Sequence, residues 1–182
     1  MIVKETVKCP NCSKNTRIKL KKFCEGKDVD DIISRKIFSN KCPKCETVFQ
    51  TEYPLEINFN NYSISYLKKG ENEDSLIKRE CYDFDDFKEK ILIFSNQLND
   101  ILIEFIKDFI KNMVDKEDDV LRFDSIDNSN IIFYSITSKE YLGFSIKNYE
   151  NLLSHAKIKK IKGYVEIDND SYKKYIRVKK WI

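Results

Sequence analysis

Cys9-Pro10-Asn11-Cys12 and, with 29 residues between, Cys42-Pro43-Lys44-Cys45 are the stretches whose reading decides the fold. Each supplies two thiols two residues apart, and Zn²⁺ takes four soft ligands in a tetrahedron. Two Cys-x-x-Cys pairs are a common way for a short chain to build that tetrahedron. Two of the three prolines sit directly after a first cysteine. There the ring fixes φ and removes one N–H, leaving the following N–H groups to turn toward the sulfurs. The expectation is one structural Zn²⁺ per chain, held by Cys9, Cys12, Cys42 and Cys45. Disulfides would need an oxidising compartment, yet the chain starts MIVKETVK, without a basic-then-apolar leader. A reducing, cytoplasmic setting is therefore expected. The other reading of Cys-x-x-Cys is a redox dithiol; two proline-bearing pairs favour a closed tetrathiolate over it.

Working outward, Ile2-Val3-Lys4-Glu5-Thr6-Val7 and Thr16-Arg17-Ile18-Lys19-Leu20 alternate apolar and polar residues around the first pair, as half-buried strands do. Residues 28–37 start acidic and finish basic, which suits a short helix and its dipole. Residues 47–57 and 62–66 read as two strands joined by a polar turn at 58–61. The spacing thus predicts a zinc-ribbon-like β unit with an inserted short helix over residues 1–68.

A polar connector follows at residues 69–74, then a strand at 76–82 and a helix from an N-cap at Asp83 or Asp85 to about residue 96. A second helix is expected over residues 97–115. On a helical wheel its apolar side chains span about 220°, where a surface helix needs only about 100°. More than half of the helix must be covered, either within the chain or by a second copy. The residues assigned to a two-fold interface are Leu98, Leu102, Ile103, Ile106, Ile110 and Val114. Asp100, Glu104, Lys107, Asp108, Lys111, Asn112 and Asp115 form the polar remainder of the wheel. The amphipathic pair occupies residues 76–118. Strand-like segments at 120–126, 131–136 and 141–146, a short helix at 148–157 and a basic tail make residues 119–182 a β-rich α+β segment. The fold class expected is α+β throughout.

The paired motifs and their surroundings resemble the bacterial CpXC family. The likeness is carried by ETVKCPNC, by KCPKCETVFQTEYPLEI and by FKEKILIFSNQLNDILIEFIKD, within the first 115 residues. The resemblance implies that the motif cysteines are zinc ligands, and it implies no particular activity. One position departs from the pattern of such knuckles. Ser13 and Glu46 follow the second cysteines, where glycine is common. If the backbone there is left-handed, a residue with a Cβ costs on the order of 1 kcal/mol.

The net charge of +3 hides a segregation. Residues 1–50 carry 12 Lys/Arg against 6 acids, residues 51–156 carry 12 against 21, and residues 157–182 carry 9 against 3. Basic ends around an acidic middle suit either a polyanion surface or complementary faces that meet each other. The basic surface assigned in the tail is Lys173, Lys174, Lys179 and Lys180, with Tyr172, Tyr175 and Trp181 interleaved. Nothing reads as a nucleophile–base pair, and the one histidine, His155, lies in a Lys-rich stretch without a partner motif. Cys24 and Cys81 read as small buried hydrophobes. No apolar run reaches the roughly 18 residues of a membrane span. The function expected is that of a non-catalytic, zinc-stabilised adaptor for a protein partner, working as a homodimer. The alternative is a basic accessory subunit that helps a nucleic-acid-processing complex, for example in phage defence, to hold DNA or RNA. A thiol-redox protein is a distant third.

Overall fold

The alternation around the first cysteine pair becomes a hairpin: β1 (Ile2–Lys8) and β2 (Asn15–Lys21) pair antiparallel, from Ile2 opposite Lys21 to Lys8 opposite Asn15. Thr16, Ile18 and Leu20 face inward and are buried, while Asn15, Arg17 and Lys19 face solvent. The computed structural model describes residues 2–59, 61–71, 77–115 and 117–178. It is a mixed α+β fold that divides into two compact units, Met1–Lys88 and Glu89–Ile182.

In the first unit, β3 (Phe23–Glu25) leads through a 3-10 turn into α1 (Val29–Ile33), shorter than the helix expected over 28–37. Arg35 adopts φ 58° and stops it, and a 3-10 turn at Lys36–Phe38 follows. A second hairpin pairs β4 (Ser39–Lys41) with β5 (Val48–Gln50). The single strand expected over 47–57 is in fact two. β5 ends at Gln50, and β6 (Leu55–Asn58) starts after Pro54, which has no N–H to give a ladder and holds Tyr53 out of the helical region. β6 joins another sheet, with β7 (Tyr62–Tyr66) and β8 (Ile77–Cys81), in the order β3-β6-β7-β8. Its outer pairs are parallel and its central pair antiparallel.

Buried aromatic rings cluster in this unit. Phe38 meets Tyr53 edge-on at 5.2 Å, and Tyr66 stacks on Phe87 at 4.9 Å. The polar ends of these rings are satisfied. Tyr66 donates to Glu52 at 2.6 Å, and Tyr53 accepts from the Lys21 N–H at 3.2 Å. Arg35 pairs with Glu52 at 2.6 Å and lies over the Phe84 ring at 3.9 Å.

α2 (Phe84–Ser95) starts where Asp83 accepts from the N–H groups of Asp85 and Asp86, so Asp83 is the cap. From Glu89 onward α2 belongs to the second unit. α3 (Asp100–Met113) starts later than expected, because Gln97 has φ 58° and Asn99 caps the helix by accepting from the Leu102 N–H. Leu98 therefore precedes the helix. α3 packs on β9 (Leu121–Asp127), which with β10 (Asn130–Ser135) and β11 (Tyr141–Ser145) forms an antiparallel sheet ordered β11-β10-β9. α4 (Ile146–His155) packs against α3, and Tyr149 accepts from the Asn99 N–H at 2.8 Å. The tail folds back, β12 (Ala156–Ile158) pairing with β13 (Ile176–Val178).

The polar stripe of α3 is not a solvated face. Asp100, Glu104 and Lys107 are buried along with the apolar residues. Lys107 reaches Glu104 at 2.8 Å and Glu89 at 3.2 Å, and Lys90 reaches Glu104 at 2.9 Å. Glu89 also takes the Phe123 N–H at 2.6 Å and Arg122 at 3.1 Å. Burial alone would raise the Glu89 carboxyl. The charges of Lys107 and Lys90, the Phe123 N–H and Arg122 together hold it below its ordinary value.

Removing one member of such a set leaves a buried charge alone. Lys107→Met is expected to cost about 3–5 kcal/mol, read by urea denaturation followed by far-UV circular dichroism. A loss under about 1 kcal/mol would show that the network is solvated in solution. Asp108, Asp119 and Asp168 are depressed alongside Glu89, each against the opposing effect of burial. A depressed folded pKa contributes stability above the unfolded value and loses it below. Stability should therefore hold down to about pH 5 and fall steeply beneath about pH 4.

Candidate metal centre

Each Cys-x-x-Cys pair is the turn of one of the two short hairpins, β1–β2 and β4–β5, and the two turns have the same hydrogen bonds. The Ser13 N–H donates to Cys9 O and the Cys9 N–H to Lys14 O, both at 2.9 Å. Thirty-three residues on, the Glu46 N–H donates to Cys42 O at 3.0 Å and the Cys42 N–H to Thr47 O at 2.9 Å. Lys8 opposite Asn15 and Lys41 opposite Val48 close the two turns in matching register. A turn of this shape needs a left-handed residue after the second cysteine. Ser13 has φ 56° and Glu46 φ 59°, so the missing glycines mark two strained positions.

The turns bring Cys9, Cys12, Cys42 and Cys45 together, with all four sulfurs within 4.8 Å of one another. Cys9 and Cys45 Sγ are 3.6 Å apart, Cys12 and Cys42 Sγ 3.7 Å. A tetrahedron with Zn–S bonds of about 2.3 Å has an S–S edge of about 3.8 Å. Disulfide sulfurs would lie at about 2.05 Å, and all six cysteines are free thiols. The donor set and spacing fit one Zn²⁺, and all four coordination positions come from the chain. Cys9 and Cys42 are buried, whereas Cys12 and Cys45 are half-buried.

Neighbours prepare two of the sulfurs for a cation. The Thr47 hydroxyl, 3.3 Å from Cys45 Sγ, and the Thr47 N–H hold the Cys45 thiol down at about 6. Cys42 is lowered by the N–H groups of Cys45 and Lys44 and by the Thr16 hydroxyl at 3.8 Å. At Cys12 the Lys14 N–H works downward, but burial and the other thiols push it up to about 11. Asn11 donates to Thr47 at 3.0 Å and ties the two turns together. Thr16, Thr47 and Asn11 were not singled out in the sequence. Thr47, two residues past the last ligand, is the one whose spacing could have suggested its role.

The remaining assigned residues fall elsewhere. Leu102, Ile103 and Ile106 are fully buried in the single chain and Ile110 nearly so. Leu98 is half-buried, and only Val114, 40% exposed, keeps much open surface. Of the basic tail, Lys173 pairs with Asp108 at 3.1 Å beside the Tyr172–Asp108 hydrogen bond, and Lys174 is exposed. Lys179 and Lys180 lie outside the described residues, as does Trp181. Exposed His155 interacts with Asn151 O and Ser154 in its own helix. Cys24 and Cys81 are buried, and burial pushes the Cys24 thiol up to about 12. Among the described residues no helix is long and apolar enough to cross a membrane. No family model, no curated protein and no solved structure matches the chain.

Protein purified without chelator is expected to carry one zinc per chain by elemental analysis, and Cys42→Ser to lose the metal together with the first unit's fold. Structural zinc contributes on the order of 10 kcal/mol to small sites; a metal content under about half an equivalent speaks against the tetrathiolate. Ser13→Gly and Glu46→Gly should each stabilise the zinc-loaded protein, by about 0.5–1 kcal/mol after the unfolded-state entropy of glycine is deducted. Destabilisation by both substitutions would show that the side chains of Ser13 and Glu46 contribute more than their left-handed backbone costs.

Proposed function

We propose that the chain is a non-catalytic adaptor of the CpXC type, built on a structural zinc and working in a reducing compartment. The motifs support the family reading, and the closed ligand set supports the metal's structural role. A catalytic zinc keeps a position open for water or substrate, and here four sulfurs fill the tetrahedron. Partner capture is assigned to the outer face of the β9–β11 sheet.

The observation that carries this assignment is a cross-strand tyrosine pair. Tyr134 on β10 stands directly opposite Tyr141 on edge strand β11, with ring centroids 5.1 Å apart. Tyr141 is 65% exposed, and Ile132 lies two residues from Tyr134 on the same face. Tyrosine on a rigid strand offers large contact area at low entropic cost and is enriched in interface hot spots. An edge strand beside it adds the option of strand pairing. Self-association through α3 would first have to uncover Leu102, Ile103 and Ile106, so the sheet is the better surface.

The test is recovery of the natively expressed complex, with components identified by mass spectrometry. Tyr134→Ala/Tyr141→Ala should keep zinc and helix content and lose the stoichiometric partner, since hot-spot truncations cost about 2 kcal/mol or more each. Recovery of the same partner by this variant would overturn the assignment.

A further inference from the structure

The outer face of the β1–β2 ribbon has a charge pattern that no ion pair among the described residues neutralises. Cross-strand register puts Lys4, Thr6 and Lys8 on one face with Asn15, Arg17 and Lys19, and that stretch of the face contains no acid. All six are exposed. Lys4 stands directly opposite Lys19, an arrangement that destabilises a ladder. Among the described residues none of the four cations has an ion pair, although acids are close in sequence. Glu5, on the opposite face, pairs with Lys22 at 3.5 Å, and Asp28 takes Lys21 at 2.6 Å.

We infer that this ribbon face binds the phosphate backbone of duplex DNA. A strand repeats its side chains about every 6.8 Å on one face, so Arg17 and Lys19 can address separate phosphates of one backbone. A two-stranded ribbon is the right size for the major groove of B-form DNA, about 12 Å wide. The A-form groove of duplex RNA is too deep and narrow to admit it. A membrane surface fits less well, because apart from Ile2 at its far end the face has no large apolar side chain to insert. Contact with phosphate asks only for exposed cations, which Lys4, Lys8, Arg17 and Lys19 supply. The zinc holds one end of the ribbon, so the face is presented already ordered. This surface is independent of the tyrosine pair proposed for the protein partner.

The test is fluorescence anisotropy of a labelled mixed-sequence duplex titrated with zinc-loaded full-length protein. Four phosphate contacts predict a log–log salt slope of about −3.6, and so about a hundredfold weakening between about 50 and 200 mM salt. Lys4→Gln/Lys8→Gln/Arg17→Gln/Lys19→Gln should lose more than tenfold in affinity and most of the slope. Zinc content and circular dichroism verify its fold; should it not fold, Arg17→Gln/Lys19→Gln is expected to lose about half the slope. Lys157→Gln/Lys159→Gln/Lys160→Gln/Lys174→Gln removes the same charge from exposed positions in the other unit and should leave binding within about twofold. An equal loss in that control would trace the attraction to net charge and overturn the inference. So would tighter binding to duplex RNA or to phosphatidylserine vesicles, or no DNA binding at the lowest salt. A tyrosine-pair variant that still binds DNA separates this surface from the partner site.

Discussion

Four thiols within 4.8 Å of one another are an unfavourable arrangement unless a cation sits among them. As thiolates they repel at short range, and as thiols they are weak donors and weak acceptors. The two hairpin tips of the first unit therefore meet because a dication makes the meeting favourable. Everything that fixes the tips follows from that demand. The left-handed Ser13 and Glu46 aim backbone N–H groups at sulfur, and the Asn11–Thr47 hydrogen bond locks one tip to the other. The strain at two non-glycine positions is small beside the free energy of a bound structural zinc. That is how the sequence tolerates it.

The second unit solves the opposite problem, with charges buried and no metal to hold them. Glu89, Lys90, Glu104 and Lys107 alternate in sign between α2 and α3, each within 3.3 Å of an opposite charge. A hydrophobic set of equal volume could fill the same space at no loss of stability. What the ionic set adds is register: a slide of α3 by one turn along α2 would place like charges together. Leu102, Ile103 and Ile106 supply burial without direction, whereas the ion pairs supply direction.

The metal ligands were legible because thiol spacing is a chemical requirement, independent of tertiary context. The β1–β2 hairpin was legible because its alternation has a period of two and one solvated face. The strand break at Pro54 was visible as a residue, but its effect depended on β5 and β6 belonging to different sheets, which is a non-local fact. The wheel of α3 was read correctly as needing more than one covered side. Burial of its polar arc could not be read from the wheel, because the partners of Glu104 and Lys107 lie on another helix, at residues 89 and 90. The start at Asp100 was missed for a local reason: Ser95 and Asn96 are as good caps by residue type as Asn99, and the left-handed Gln97 moves the start to Asn99. The tail's pairing of Ile176–Val178 with Ala156–Ile158 joins short segments about 20 residues apart, and periodicity over three residues carries no signal.

The zinc itself bears on how the basic ribbon is understood. Four thiolates around Zn²⁺ carry a net charge of −2, and cations beside the hairpin tips offset it. That accounts for Lys8 and Lys14, each adjacent to a knuckle cysteine or its closing hydrogen bond. It does not reach Lys4, five residues and about 17 Å of extended strand before Cys9, nor Lys19 opposite it. Screening at about 0.15 M salt cuts exposed charges off within about 8 Å. The far end of the ribbon therefore feels little of the centre, and its paired lysines repel each other without compensation from the metal. A cost that the nearby dianion does not offset, and that no acid of the ribbon face relieves, is explained by an anion that arrives from outside.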